Sequence, residues 1–321
     1  MVLTIGKDAG ARMRPSHLTN RCAVLLLMIL ASAARAAVAK KPPDLVLRAA
    51  LPVDGPADLQ PSGLCWWRGN LLMVSDKHDG TVFRLKVGKD RALAEQFVTF
   101  IPPADGAGRL DYEGVACDAL RNFYIVSESR SRILQVTPDG SNALWYSPPL
   151  EDAGLEAGLL RSANAGFEGI AMTAPNRFVL CAEREPRGIM EVNLDVDPME
   201  TMAYQCGRPA YELQPGRSAD FTDLCVFGDS LYALVRNAHA VVVLRAEGGR
   251  YVESGTWSYG FAENDIRYQY VDMKYGKAEG LAVDAQQVCI IIDNNGMARR
   301  SDRKDCRPLL FIFSFPPPAA P

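Results

Sequence analysis

A short pattern that recurs along the chain limits the possible folds more than any other sequence feature. Five tetrapeptides share one order: an acidic or polar residue, glycine or aspartate, an aliphatic residue, then a small residue. Their first residues lie 51, 55, 54 and 57 positions apart, at Ser62, Glu113, Glu168, Thr222 and Glu279. Near-constant spacing of this size is typical of repeat architectures, in which each repeat is one supersecondary unit. The chain is therefore expected to contain five similar units.

Each repeat predicts a small antiparallel sheet. The tetrapeptide opens one apolar strand, and turns rich in Gly, Asn and Asp separate it from a second and a third. A fourth strand follows in the first four repeats, whereas the fifth stops after residues 309–313. Residues 45–49 form a predicted strand with no other sheet to join. The sequence thus predicts an all-β propeller of five four-stranded blades, closed by the N-terminal strand.

The propeller is expected to occupy residues 43–315 as one domain. Residues 316–321 are Pro and Ala, and the tail is expected to be disordered. A ring of six blades stays open as the alternative, although the even spacing leaves no room for a further blade between repeats. A β-sandwich would not explain why the four-strand unit recurs.

Composition and charge exclude several classes of protein. A hydrophobic content of 48% with 23% charged residues is ordinary for a globular chain, which excludes a disordered or collagenous protein. The formal net charge of -3 provides no basic surface of the kind that dominates nucleic-acid binding. No nucleic-acid partner is expected.

The N-terminus has the pattern of a secretory signal peptide at residues 1–36. Basic residues precede an apolar stretch that ends in small residues of the A-x-A type. The basic residues are Lys7, Arg12, Arg14 and Arg21. Cleavage would leave no membrane span and would direct the protein to the periplasm or the medium. An uncleaved N-terminal anchor is the alternative.

The cysteines do not form an evident disulfide framework. Seven remain after the predicted cleavage, an odd number, and most lie within apolar runs. Cysteines in such runs are usually buried core residues. They are therefore expected to be mainly buried and reduced.

Strand order predicts an acidic face at one end of the ring. The first strand of each repeat starts where the antiparallel second strand ends, so carboxylates at these two positions share an end. At the strand starts these are Glu113, Glu168 and Glu279, and at the ends of second strands, 14 or 15 residues later, Asp76, Glu128, Glu183 and Asp293. The fourth repeat departs from the pattern with Thr222 and Arg236. The longer loops between repeats emerge at the same end, which marks it as the binding side.

Clustered carboxylates repel one another unless protons or a cation neutralise them. Calcium suits such a group because it accepts six to eight oxygen ligands in flexible geometry. We therefore predict a calcium site on this face. The alternative is that the glutamates cap strand ends or pair with arginines, namely Arg130, Arg184, Arg187 and Arg236.

Catalytic motifs are few. Beyond the predicted signal peptide the only histidines are His78 and His239, both in turns after second strands. A calcium ion with a histidine base could activate water against an ester, but a histidine in a solvated turn is the simpler interpretation. The sequence therefore favours an exported calcium-binding propeller that binds a small-molecule or protein ligand through the acidic face. Calcium-dependent hydrolysis of esters, lactones or phosphoesters is the alternative.

The repeat residues resemble a known group of propellers. Ser62-Gly63-Leu64 with Val74-Ser75-Asp76, and the Glu-Gly-aliphatic-Ala units with Ser127-Glu128 and Ala182-Glu183, are similar to the bacterial SdiA-regulated family. They also resemble the phytase-like propellers with esterase-like activity, and both groups are distantly similar to NHL-repeat propellers. The resemblance covers most of the chain and implies a secreted propeller with a calcium site. It implies no particular reaction.

Overall fold

The computed structural model describes residues 41–104, 108–209, 211–271 and 277–317. The predicted all-β architecture is confirmed, because the described strands group into units of four antiparallel strands. The first unit contains β2 (Pro61–Trp67), β3 (Asn70–Ser75), β4 (Thr81–Val87) and β5 (Ala92–Thr99). The second contains β6 (Tyr112–Cys117), β7 (Phe123–Ser127), β8 (Arg132–Val136) and β9 (Ala143–Trp145). The predicted signal peptide and residues 318–321 lie outside the described residues.

The remaining units follow the same order from inner to outer strand. The third contains β10 (Phe167–Ala174), β11 (Arg177–Ala182), β12 (Gly188–Asn193) and β13 (Glu200–Gln205). The fourth contains β14 (Asp223–Phe227), β15 (Ser230–Val235), β16 (Ala240–Glu247) and β17 (Arg250–Ser258). The fifth contains β18 (Ala278–Val283), β19 (Val288–Ile292) and β20 (Leu309–Ser314), completed by β1 (Val46–Asp54).

Strand β1 closes the ring as the sequence predicts. It pairs antiparallel with β20 from Val46 opposite Ser314 to Pro52 opposite Leu309. The strand is longer than residues 45–49, and its last two residues, Val53 and Asp54, pair in parallel with β5 of the first unit. One segment therefore joins the sheets of the first and fifth units.

The inner strands contact one another in a closed series, β2 to β6, β10, β14, β18 and back to β2. Glycine permits the approach, since a Cβ built on Gly63 would lie 2.6 Å from the Cα of Gly114. In the fourth unit Asp223 occupies the equivalent position. Its carboxylate accepts hydrogen bonds from the backbone N–H groups of Leu64 and Leu281, at 3.1 and 2.7 Å. A single acidic side chain thus fills the centre of the ring and links three units.

Apolar side chains pack between neighbouring sheets. Phe83, Phe123 and Phe178 are fully buried there. Two short helices, α1 (Glu151–Glu156) and α2 (Gly260–Glu263), lie in the connections between units. None of the described helices is long and apolar enough to cross a membrane.

Candidate functional site

The ends of the inner strands assemble one acidic surface. Tyr112 pairs with Ser127, and Phe167 pairs with Ala182. The glutamate that follows each of these inner-strand residues therefore lies beside the end of the second strand. We call the resulting carboxylates the acidic face. Its members are Asp76, Asp111, Glu113, Glu128, Glu168, Glu183, Glu279 and Asp293.

Arg236 neutralises one side of this face. Its guanidinium forms ion pairs with Glu183 and with Glu279, the latter at 2.6 Å. Its Nε also lies 3.3 Å from the fully buried Asp220. Arg184 pairs with Glu183 as well. The arginine pairing that the sequence left open therefore holds for Glu183 and Glu279.

On the other side, three carboxyl groups lie close together. One oxygen each from Asp111, Glu113 and Glu128 lie within 4.8 Å of one another. Arg236 and Arg184, which pair with Glu183, form no ion pair with these three side chains. Asp111 adopts a left-handed backbone with φ of 56°. Such a conformation is uncommon outside glycine and is tolerated best by Asn and Asp.

Gly166 positions the carboxylate of Glu128. Its backbone N–H donates a hydrogen bond of 2.8 Å to Glu128 Oε1. A Cβ at position 166 would lie 2.3 Å from Glu128 Cγ, so only glycine fits without displacing the side chain. The N–H of Glu128 also donates to the carbonyl of Asp111 at 2.9 Å. The two acidic residues are thus held against each other by the backbone.

Glu168 faces the same group from the third unit. It is only 8% exposed, and no described residue donates a hydrogen bond to its carboxylate. Burial, and then the charge of Glu113, raises the pKa of Glu168 well above its ordinary value. Burial and the charge of Glu279 do the same for the pKa of Glu113. Bare carboxylates at these positions are costly to ionise.

Two further carboxyl groups of the acidic face, those of Glu279 and Asp293, also have raised pKa values. Burial raises the pKa of Glu279 to about 7, although Arg236 opposes the shift. Burial raises the pKa of Asp293 to about 6, against the hydrogen bond that the N–H of Asn295 donates at 2.8 Å. Asp76 pairs with Lys77, and its Oδ1 is buried without a hydrogen-bond partner.

Neither histidine belongs to this group. The Nε2 of His239 lies 2.8 Å from the amide of Gln214, and Nδ1 lies 3.3 Å from that of Asn264. His239 is 8% exposed, so the expectation of a solvated turn is wrong for it: the connection containing α2 folds over the ring. His78 packs edge-on against Phe83, and its Nε2 is buried without a hydrogen-bond partner.

Sequence reasoning missed Asp111 and Asp220. Asp111 lies just before β6 in a left-handed backbone conformation, so alternation along the strand gives no signal for the side that it faces. Asp220 had no signal either, because it lies in a loop before the one repeat that departs from the pattern. Its burial depends on Arg236 and on the N–H of Asn237, which donates to it at 2.9 Å.

Comparisons with known proteins agree with this architecture. The model of one protein family, described as "Phytase-like: Esterase-like activity of phytase", matches residues 61–296. Among solved structures, glutaminyl cyclase from Myxococcus xanthus is similar with a TM-score of 0.51 at 14% identity, over 86% of this chain and 100% of that one. Virginiamycin B lyase from Staphylococcus aureus gives a TM-score of 0.40 at 12% identity, over 85% and 75% of the two chains.

A PQQ-bound aldose sugar dehydrogenase from Streptomyces coelicolor gives a TM-score of 0.45 at 13% identity, over 84% of this chain and 97% of that one. No curated protein matches the sequence. The likeness to the glutaminyl cyclase, at 14% identity, supports the fold alone.

Proposed function

The chain belongs to the phytase-like family, and from this membership and the acidic face we propose that the protein is a calcium-dependent hydrolase of esters. The observation that carries the proposal is the group formed by Asp111, Glu113 and Glu128, whose carboxylates converge without a cationic side chain between them. Glu168 is buried on the next inner strand, and its pKa is raised by burial and by the charges of Glu113 and Glu128, so it would be a further acidic ligand.

These residues fit a hard divalent cation. Their oxygens are the ligand type that calcium prefers, and calcium accepts irregular geometry of the kind that separate strands provide. Glu168 is buried beside this group, and burial together with the charge of Glu113 makes its ionised form costly without a cation. Asp111, Glu113, Glu128 and Glu168 would hold the ion. When bound, calcium would polarise the carbonyl or phosphoryl oxygen of an ester and acidify a water molecule.

The protein's own residues supply proton transfer. Glu279 has a pKa raised to about 7, so it can accept or release a proton at neutral pH, which suits a general base. Arg236 orients it through a hydrogen bond of 2.6 Å to Oε1. We assign the role to Glu279 instead of to His78 or His239, because His239 hydrogen-bonds to Gln214 and Asn264 and His78 packs against Phe83.

Calorimetry with calcium and a turnover assay test the proposal together. Chelator-treated protein should bind calcium, and hydrolysis of p-nitrophenyl esters should rise with calcium and stop with chelator. Glu128→Gln should weaken calcium binding at least about tenfold, since it removes one charged ligand while nearly preserving volume. Asp139→Asn, in an exposed turn distant from the acidic face, is the matched control and should leave both readouts unchanged.

A second candidate function is ligand binding without chemistry. Among the described residues, neither histidine belongs to the acidic group, which favours ligand binding without chemistry. Calcium binding with no turnover of esters, lactones or phosphoesters would support this function. Absence of calcium binding would contradict both candidates.

Export is part of the proposal. It rests on the signal-peptide pattern of residues 1–36. Expression of the full chain in a Gram-negative host, followed by N-terminal sequencing of the periplasmic fraction, tests it. The expected mature chain begins after Ala36, and recovery of the intact N-terminus in the membrane fraction would indicate an uncleaved anchor.

A further inference from the structure

Two cysteines meet at the contact between the first and second units, away from the acidic face. Cys65 lies on β2 and Cys117 is the last residue of β6, and their Sγ atoms are 3.3 Å apart. A disulfide requires about 2.0 Å between the sulfurs, so a small side-chain movement would suffice. The remaining described cysteines have no sulfur contact of this kind.

The backbone around the pair is already fixed. Gly63 and Gly114 bring β2 and β6 into their closest approach. On the other side of the pair, the guanidinium of Arg68 donates to the carbonyl of Ala119 at 3.3 Å. Strands held in this way lose little further conformational freedom when their cysteines are joined, and a link between distant parts of the chain restricts the unfolded state most.

We propose that Cys65 and Cys117 form a disulfide that ties the inner strands of the first and second units together. The two thiols lose two protons and two electrons, which pass to a disulfide oxidant such as glutathione disulfide or an oxidised thiol–disulfide oxidoreductase. The S–S bond of that oxidant is broken, and its two sulfurs leave as thiols. In the cell the reaction depends on the proposed export, because cytosolic reductants would oppose it.

Exposure sets the order of the two steps. Cys117 is partly exposed and Cys65 is buried, so the oxidant reaches Cys117 first and forms a mixed disulfide there. Cys65 then attacks the Sγ of Cys117 and releases the reduced oxidant. The hydrogen bond with Cys117 is the main cause of a raised pKa of the Cys65 thiol, and burial is the next largest cause. This second step is therefore expected to be slow.

Mass spectrometry of the full chain tests the proposal. The folded protein is incubated with glutathione disulfide and a thiol–disulfide oxidoreductase. It is then denatured in the presence of iodoacetamide, which alkylates the free thiols, and digested without reductant. We expect a linked peptide pair containing Cys65 and Cys117, about 2 Da lighter than the two separate peptides. Cys117→Ser should abolish it, and Cys289→Ser, a buried cysteine without a sulfur partner, should retain it.

Thermal melting gives a readout that does not depend on digestion. Oxidised wild type and Cys289→Ser should each melt at a higher temperature than their reduced forms, whereas oxidised and reduced Cys117→Ser should melt together. Full alkylation of both cysteines after oxidation, or a linked peptide joining a different pair, would overturn the proposal. Because it does not involve the acidic face, its failure would leave the proposed function untouched.

Discussion

At the scale of single residues, Asp223 shows how one departure from a repeat can serve the whole ring. Four of the five units carry glycine at this position, whereas the fourth unit along the chain carries the aspartate. Besides Leu64 and Leu281, its own neighbour Leu224 donates a backbone hydrogen bond to it, at 2.8 Å. Burial raises the pKa of Asp223, while the three N–H donors oppose that shift by stabilising the charged form.

Replacing Asp223 by alanine should destabilise the protein strongly. Three buried N–H groups would lose their acceptor, at about 1–3 kcal/mol for each group left unsatisfied. We expect urea unfolding at 25 °C to give a free energy of unfolding lower by at least about 3 kcal/mol, and Asp223→Asn to lose less because one acceptor oxygen remains. Asp229→Ala, at an exposed turn of the same unit, is the control. Equal unfolding midpoints for Asp223→Ala and the control would contradict the role of this carboxylate.

Arg236 is the second residue on which several others depend. Removing it as Arg236→Met leaves Glu279 and Asp220 without the cation they pair with, whereas Glu183 keeps its pair with Arg184. Breaking a buried ion pair in this way costs about 3–5 kcal/mol. The loss should be larger at pH 8 than at pH 5, because protonation relieves the unpaired carboxylates at lower pH.

Urea unfolding at the two pH values measures this difference. Arg177→Met, which removes an exposed pair with Asp195, should change stability by less than about 1 kcal/mol at either pH. A loss for Arg236→Met that is the same at both pH values would show that the arginine acts through packing alone.

At the scale of elements, β1 is the strand whose loss the fold tolerates least. It covers the edge of β20 and buries Leu51 and Val53 against the first and fifth units. A chain beginning at residue 55 would expose that edge, and unpaired strand edges template association with other chains. We expect this truncated chain to aggregate in light-scattering measurements, whereas a chain beginning at residue 41 stays monodisperse. Equal scattering from the two chains would mean that β1 only covers a sheet that is stable without it.

At the scale of the whole molecule, the acidic face makes stability depend on pH, and the proposed calcium site would couple that dependence to calcium. Folding raises the pKa of Glu279 from 4.5 to about 7 and that of Asp293 from 3.8 to about 6, mainly through burial. At pH values between the unfolded and the folded pKa of each group, the folded state therefore binds more protons than the unfolded state. Its stability falls as pH rises through this range. Asp54, whose pKa the hydrogen bond from Arg307 lowers, acts in the opposite direction at the acid end.

The calcium-free protein should accordingly melt at a lower temperature at pH 8 than at pH 5. If calcium binds the ionised carboxylates as proposed, the rise in melting temperature at saturating calcium should be larger at pH 8. Differential scanning calorimetry at both pH values, with calcium and with chelator, measures the two effects. A calcium-induced rise that is independent of pH would place the ion outside the acidic face.

The sequence by itself determined the architecture and most of the carboxylates at one end of it, although not Asp111. A repeat of near-constant length with antiparallel strands puts Glu113, Glu168 and Glu279 at one end, because strand direction and side-chain alternation are local properties. The same reasoning identified the N-terminal strand as the closing element. These inferences needed only the order of residues along each unit.

The tertiary structure alone decided which charges are compensated. Arg236 selects Glu183 and Glu279 and leaves Glu113 bare, and Asp223 draws its donors from units remote in sequence. Cys65 and Cys117 likewise meet only across a contact between two units. Such pairings depend on distances of a few ångströms between units, which closure of the ring sets. The local pattern of each repeat contains no information about those distances.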